Sequence, residues 1–204
     1  MATNAEWDLI AVGAGLAGLT AANRALELGH RALVLERSTV PRHACASRAN
    51  GGVFHVGFRS ITTAPEELVR VIDAATGNFV EHSVARALAD NTARSIQWLQ
   101  SFGTTFVPME PTDGWKDYVL PPLGFHTKTT MEWEGLGADR LIDRLEQRTK
   151  ELGGDSIRGA KVIGLIMGNG AVRGVNVETA DGRRSYRAKA DVLADGGFES
   201  NRDM

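Results

Sequence analysis

The chain has 204 residues, and 23 lysines and arginines against 25 aspartates and glutamates give a formal net charge of −2 at pH 7. That length is enough for one domain with a sizeable core, or for one domain with an inserted lobe. The balanced charge excludes binding of nucleic acid or a membrane surface by bulk charge. A single cysteine, Cys45, excludes an intramolecular disulfide, which fits a reducing compartment.

The longest apolar run, residues 9–22, is too short to span a bilayer. The preceding residues, MATNAEWD, are acidic, whereas a secretory signal requires a positively charged start. We therefore expect a cytoplasmic protein without a membrane span.

The first elements in chain order predict a βαβ unit. WDLIAV (7–12) is a short apolar run typical of a buried strand, and the helical pattern after it ends at Gly29. RALVLER (31–37) predicts a second strand, parallel to the first. Residues 38–58 are rich in Gly, Ser, Arg and His and predict a long loop, a kind of segment that is often functional.

The rest of the chain predicts a helical insertion and a return to β structure. We expect helices at 65–76, 81–102 and 137–154, with an irregular segment at 104–135. The charged residues of the third helix are interpreted as a solvent-exposed face. Three strands at 160–167, 171–179 and 183–190, separated by GNG and ADG turns, predict a β-meander, and DVLADGG predicts one more buried strand. The fold class is α/β, with a parallel core sheet and extra β structure on one side.

A glycine motif, GAGLAG, connects the first strand to the first helix. Gly13 permits a tight turn, Gly15 permits close approach of a pyrophosphate, and Gly18 permits close packing of the helix against the strand. Glu36 ends the second strand, where a carboxylate can accept hydrogen bonds from both ribose hydroxyls. The combination predicts dinucleotide binding, and the alternative is a plain glycine-rich βα turn.

The chain order favours one dinucleotide. A domain that binds NAD usually continues with further βα units, whereas here an insertion and a meander precede the next core strand. That layout is typical of FAD domains of the glutathione-reductase type. An NAD-binding dehydrogenase domain with an unusual insertion remains the alternative.

Three segments carry a family resemblance: DLIAVGAGLAGLTAANRALELGHRALVLER, SRANGGVFHV and AKADVLADGGFESN. They resemble the fumarate reductase/succinate dehydrogenase flavoprotein family, and its soluble members similar to tricarballylate dehydrogenase, urocanate reductase and 3-ketosteroid dehydrogenase in particular. The resemblance implies an FAD-binding βαβ unit with a flavin loop at 1–57, a helical and irregular insertion at 58–136, and an FAD-binding helix, meander and last core strand at 137–204. It also implies that a catalytic cap and a C-terminal FAD segment lie beyond Met204.

The resemblance implies a set of FAD-binding residues. The glycine turn would hold the pyrophosphate, Glu36 the adenosine ribose, the SRANGG segment the flavin, and the backbone of Val162 the adenine side; Arg37, next to Glu36, is included in the set. Asp195 stands where the family usually has Thr in its ATGG turn. The full set is Gly13, Gly15, Gly18, Glu36, Arg37, Ser47, Asn50, Gly51, Gly52, Val162, Asp195 and Gly196.

Three residues of the flavin loop have more than one interpretation. Cys45 falls where membrane-bound family members carry the histidine that bonds covalently to the flavin. The alternatives are a thioether to FAD and a free thiol, and the free thiol is favoured because a small buried cysteine is usually inert. His43 and His55 could influence the flavin redox potential or satisfy backbone groups. No spacing of His, Cys, Asp and Glu indicates a metal site.

The resemblance implies hydride transfer between flavin N5 and a carbon next to an activating group. The family's catalytic arginine, histidine and threonine follow the ATGG turn, so no catalytic residue is assigned here. We expect the N-terminal, FAD-binding part of an oxidoreductase that reduces or desaturates a small organic acid or a ring ketone. We also expect this chain alone to bind FAD weakly and to lack turnover. The alternatives are the NAD-binding domain and a non-catalytic partner protein with an FAD fold. The substrate, the electron partner and the oligomeric state stay open.

Overall fold

The computed structural model describes residues 6–54, 63–108, 118–123 and 133–197. In chain order the elements are β1 (Trp7–Val12), α1 (Leu16–Glu27), β2 (Ala32–Glu36), α2 (Ala46–Ala49), β3 (Val53–Phe54), α3 (Pro65–Thr76), α4 (His82–Gln100), β4 (Val107–Pro108), β5 (Tyr118–Val119), α5 (Gly137–Glu151), β6 (Asp155–Arg158), β7 (Lys161–Gly168), β8 (Ala171–Thr179) and β9 (Gly182–Leu193). They fall into two compact units, Met1–Ala49 with Asp139–Met204 and Asn50–Ala138.

The first unit contains a six-stranded sheet in the order β6-β2-β1-β9-β8-β7. Strands β6, β2, β1 and β9 run parallel, whereas β7, β8 and β9 form the antiparallel meander. Strand β9 belongs to both: residues 182–187 pair with β8, and residues 188–193 pair with β1. This sheet confirms the predicted α/β fold class with its parallel core and meander.

Two details of the predicted strands are wrong. The sequence predicts one strand at 183–190 and another starting at Asp191, but β9 is continuous because no turn signal separates Ala190 from Asp191. The sequence also misses β6, which pairs with β2 at the sheet edge. Its four residues, DSIR, have no apolar run by which a strand could be recognised.

The core of the first unit lies against both faces of its sheet. All five residues of β2 are buried, as expected for a parallel strand covered on both sides. A cluster of buried apolar side chains joins the core strands to the meander: Ile10, Val12, Leu33, Leu35, Ala160, Val175, Val177 and Ala188. Helices α1 and α5 are tied together by Asn23, whose Nδ2 lies 3.0 Å from both Leu145 O and Thr149 Oγ1.

The second unit pairs helices α3 and α4 and contains a small antiparallel sheet in the order β3-β5-β4. Helix α3 begins at Pro65 and is followed by Gly77 in the left-handed region. Helix α4 is capped by Glu81, whose carboxylate accepts from the N–H groups of Ser83 and Val84 at 3.1 Å. The strands have two residues each, and for this reason the sequence predicts only a loop and an irregular segment there.

No helix in the four described ranges combines the length and apolar composition that a membrane crossing requires.

Candidate functional site

The glycine motif that connects β1 to α1 has no room for side chains at two of its glycines, Gly13 in the turn and Gly18 in the first turn of α1. Gly13 has φ of 99°, and a Cβ there would lie 2.5 Å from Ala194 O, in the segment that follows β9. A Cβ on Gly18 would lie 2.0 Å from Gly13 O. Both distances are far below van der Waals contact with backbone atoms. The predicted tight turn is therefore present, and the chain beyond β9 packs directly against it.

The N-terminus of α1 has no side chain of its own N-cap residue to accept hydrogen bonds from its first N–H groups. Gly15 occupies the N-cap position and has no side chain to accept a hydrogen bond, but Ser47 Oγ accepts from Leu16 N–H at 3.0 Å. The first-turn N–H groups of a helix lack helical partners and carry partial positive charge. Such an end binds phosphate, and the absence of a Cβ at Gly15 lets an anion approach the backbone. The structure thus brings Ser47 to the same helix end as the glycine motif.

Glu36 lies beside this turn. Its Oε2 accepts from Ala14 N–H at 3.0 Å, and its Oε1 accepts from Ser38 N–H at 2.8 Å. Only 6% of the residue is exposed. Each carboxylate oxygen has a second lone pair that can accept a further hydrogen bond. The geometry can therefore present a fixed acceptor to a ribose next to a phosphate at α1.

A buried ion-pair cluster holds the segment that carries Ser47. Arg48 in α2 is fully buried and contacts Asp139 and Asp143 of α5, with Nη1 lying 2.8 Å from Asp143 Oδ1. Arg42 also contacts Asp139. Although burial opposes the charge, the hydrogen bonds that Arg48 donates to Asp143 and Asp139 raise the pKa of Arg48 above its ordinary value. Because α2 is only four residues long, these contacts are what fixes its place.

The sequence analysis did not predict this ion-pair cluster. The interpretation of the charged residues of α5 as a solvent-exposed face is wrong at its beginning, since Asp139 is completely buried. The available signal was weak: Asp139 and Asp143 are four residues apart and share one helix face, but so do many solvated pairs. Their partner lies some ninety residues earlier in a loop without periodicity.

A second set of contacts connects Glu36 to α5. His43 Nε2 lies 3.4 Å from Glu36 Oε2, and its Nδ1 lies 3.2 Å from Arg158 Nη1. Arg158 Nη2 in turn donates to Glu146 Oε1 at 2.6 Å. Burial lowers the pKa of His43 below its ordinary value, and Arg158 and Arg48 lower it further, while Glu36 opposes them. This lowering favours the neutral form of the imidazole at neutral pH.

Three predicted flavin-loop residues lie in the second unit. Asn50 Oδ1 accepts from Gly52 N–H at 2.7 Å, which closes a local turn. Gly51 and Gly52 have φ of 72° and 83°, and a Cβ on Gly52 would lie 2.9 Å from Leu120 O. Close backbone packing is thus one reason for glycine at position 52. Their contact with flavin stays a prediction.

The remaining predicted residues are more exposed. Arg37, Asp195 and Gly196 lie at the surface, and Val162 is half-buried in β7, where it packs against the core cluster. Cys45 is half-buried and its thiol is free. Its backbone carbonyl accepts from Arg48 N–H at 3.1 Å. Their contacts with FAD stay predictions.

His55 lies outside the described residues. Within the residues that are described, no three side chains of His, Cys, Asp or Glu are grouped as metal ligands would be.

Comparison with known proteins identifies the family of this chain and implies FAD. The family model described as an FAD binding domain matches residues 8–203. The chain belongs to this family. Its members are FAD-dependent oxidoreductases related to fumarate reductase, succinate dehydrogenase and 3-ketosteroid dehydrogenase, as the resemblance predicted.

The similar proteins are longer than this chain. A vinyl phenol reductase from Lactiplantibacillus plantarum is 24% identical over 213 residues, which cover all of this chain and 40% of the reductase. The chain thus spans less than half the length of the curated relative that it matches.

Two solved structures share the fold at TM-scores of 0.80. One is a 3-ketosteroid-Δ4-(5α)-dehydrogenase from Rhodococcus jostii, which is 22% identical, with 98% of this chain and 48% of that protein covered. The other is a flavocytochrome c3 fumarate reductase, which is 23% identical, with 98% and 35% covered. At these identities the likeness establishes the fold.

Proposed function

We propose that this chain is the FAD-binding part of an oxidoreductase that exchanges hydride at flavin N5, reducing or forming a carbon–carbon double bond. The observation that carries the proposal is the arrangement at the start of α1. There the bare glycine turn, the Ser47 hydroxyl on Leu16 N–H and the Glu36 carboxylate on Ala14 N–H surround one helix end. This is the donor and acceptor set that a pyrophosphate with an adjoining ribose requires.

Each group would have a separate task. The N–H groups of α1 would bind the pyrophosphate, and Glu36 would accept from the ribose hydroxyls. The same negative charge would repel a 2′-phosphate, which disfavours NADP. By the family resemblance, Asn50, Gly51 and Gly52 would lie along the flavin, and the Asp195–Gly196 turn would also contact the cofactor. FAD, when bound, supplies the hydride chemistry, and the protein supplies binding and orientation.

The proposed substrate is a small organic acid or a ring ketone. The similar proteins are named as a vinyl phenol reductase, a ketosteroid dehydrogenase and a fumarate reductase. Their names share reactions of unsaturated compounds but not one class of substrate. The shared element is redox chemistry at a double bond rather than one substrate. No described residue is assigned a catalytic role.

The cofactor assignment is tested by titrating the purified chain with FAD and with NAD. We expect weak but saturable quenching of FAD fluorescence and no binding of NAD. Glu36→Gln should weaken FAD binding about tenfold, because an acceptor for charge-assisted hydrogen bonds is replaced by a neutral amide. Glu178→Gln, on an exposed position of β8, is the matched control and should bind as the wild type does.

Two results would contradict the proposal. Preferential binding of NAD would favour the dehydrogenase-domain alternative. Rapid substrate-dependent reduction of a dye by the isolated chain would show that the catalytic residues lie within these 204 residues.

A further inference from the structure

His43 has a hydrogen-bonding arrangement that is fixed by its neighbours. A guanidinium group donates hydrogen bonds and never accepts them. Because Arg158 Nη1 lies 3.2 Å from His43 Nδ1, that nitrogen must carry the lone pair. The neutral imidazole then has its proton on Nε2, the atom that faces Glu36 Oε2 at 3.4 Å, a contact slightly longer than an ordinary hydrogen bond. The chemistry of Arg158 therefore dictates that His43 presents a donor to Glu36.

His43 is well placed to restrain the carboxylate. It is 4% exposed, so water does not compete for either ring nitrogen. Glu36 Oε2 already accepts from Ala14 N–H, and Oε1 accepts from Ser38 N–H. Those two bonds hold the two oxygens from the backbone. The imidazole of His43 approaches Oε2 from the other direction and is held by Arg158 of β6, which in turn donates to Glu146 of α5.

We propose that His43 is a positioning residue that, in its Nε2–H tautomer, orients Glu36 so that the remaining lone pair of its Oε1 accepts a hydrogen bond from a hydroxyl of a bound adenosine ribose. The inference rests on the proposed function and extends it, because it assigns a task to a residue that does not contact the ligand. The carboxylate binds the ribose; Arg158 sets the tautomer of His43; and His43 limits the orientations of the carboxylate. Loss of His43 should then reduce recognition of the hydroxyls more than recognition of the phosphates.

The test compares two ligands that differ only in the ribose hydroxyls, ADP and 2′,3′-dideoxy-ADP. For the wild type we expect ADP to bind about tenfold more tightly, the effect of hydrogen bonds to a charged group. His43→Leu, which removes both ring nitrogens, should reduce this ratio to about twofold. It should leave the dideoxy compound bound with little change. His43→Gln retains one donor and one acceptor and should restore most of the ratio.

The matched control is His30→Leu, which changes an exposed histidine just after α1. It should leave the ratio at the wild-type value. A defect in folding alone would weaken both ligands equally, so the ratio separates positioning from stability. Equal ratios in the wild type and His43→Leu would overturn the inference while leaving the proposed function intact. A wild-type chain that binds neither ADP nor FAD would overturn the proposed function and the inference with it.

A second measurement needs no ligand. The ¹⁵N chemical shifts of the His43 imidazole report which nitrogen carries the proton. We expect a neutral ring protonated at Nε2 at pH 7, and in Arg158→Met a mixture of tautomers, because the donor to Nδ1 is gone. An Nδ1–H tautomer or an imidazolium in the wild type at pH 7 would contradict the inference.

Discussion

The six-stranded sheet has two halves that use the same strand for different purposes. The parallel half consists of β6, β2, β1 and residues 188–193 of β9; the antiparallel half consists of β7, β8 and residues 182–187 of β9. Strand ends of the parallel half lead into the glycine turn and Glu36, and α1, α2 and α5 supply polar partners there. Within the described residues, the antiparallel half has no comparable cluster of buried charges.

The antiparallel half instead exposes apolar side chains. Ile163, Leu165 and Met167 of β7 alternate along one face and are 41%, 40% and 61% exposed. One continuous strand, β9, thus joins the half beside which we propose that the ligand binds to a half with exposed apolar side chains. Each half should therefore respond differently to the same kind of substitution.

The largest effects are expected at Gly18 in α1, which packs beside the parallel half, and at Gly174 in β8 of the antiparallel half. Gly18→Ala and Gly174→Ala would each place a Cβ 2.0 Å from a backbone oxygen, that of Gly13 or of Tyr186. An alanine in a helix normally stabilises by up to about 1 kcal/mol, but this contact reverses the sign. We expect both variants to lose at least about 3 kcal/mol of unfolding free energy, measured as the urea midpoint.

Ligand binding should separate these two variants. Gly18→Ala displaces the turn at the start of α1, so its folded fraction should bind ADP weakly, whereas Gly174→Ala should bind with the wild-type affinity. Gly164→Ala is the control in β7, since its Cβ would meet nothing within 4 Å, and it should change neither quantity strongly. Equal ADP affinities for Gly18→Ala and Gly174→Ala would contradict the division of tasks between the halves.

The next largest effect is expected at the buried arginine. Removal of one member of a buried ion pair costs about 3–5 kcal/mol. For Arg48→Met we expect the lower end, about 3 kcal/mol, because Arg42 still contacts the fully buried Asp139. The melting temperature should fall accordingly, and α2 should lose its fixed place. Arg184→Met provides the contrast in the antiparallel half, because Arg184 and Asp181 are exposed and 3.5 Å apart. A melting temperature unchanged in both variants would show that burial of the pair is irrelevant.

The sequence predicts elements and the glycine turn well because their signals are local. Apolar runs mark β1 and β2, a Gly13–Gly15–Gly18 spacing marks the turn, and helical periodicity marks α1 and α5. Glu36 is predicted because it ends an apolar strand at a known distance from that turn. For these residues, neighbours in the chain carry the information.

The interactions of Arg48, His43 and Arg158 were not predicted because they depend on contacts between distant segments. Arg48 lies in a loop without periodicity, and its partners lie on α5, more than ninety residues later. Arg158 belongs to β6, whose polar sequence concealed the strand itself. A charged side chain that is buried looks the same in a sequence as one that is solvated, so only the fold distinguishes them.

The smallest effect is expected at the junction of the two halves. Asp191 lies in β9 beside Ile10, both of its carboxylate oxygens are buried, and the backbone amide of Gly174 is near them without reaching ordinary hydrogen-bond geometry. Burial raises the pKa of Asp191 above its ordinary value, and the Gly174 backbone amide opposes this only in part. A carboxyl whose pKa is higher in the folded chain destabilises it once the pH exceeds the ordinary carboxyl range, because the unfolded chain then loses its proton more readily.

Asp191→Asn should therefore raise the melting temperature at pH 7, by roughly 2 °C. The gain should disappear as the pH falls below the ordinary carboxyl pKa, since Asp191 is then protonated in both folded and unfolded chains. Asp181→Asn, in the exposed turn between β8 and β9, is the control and should show no such dependence. A gain that persists unchanged at acidic pH would mean that the amide acts through new hydrogen bonds rather than through removal of a buried charge. In that case the buried carboxylate of Asp191 would not itself destabilise the junction of the two halves.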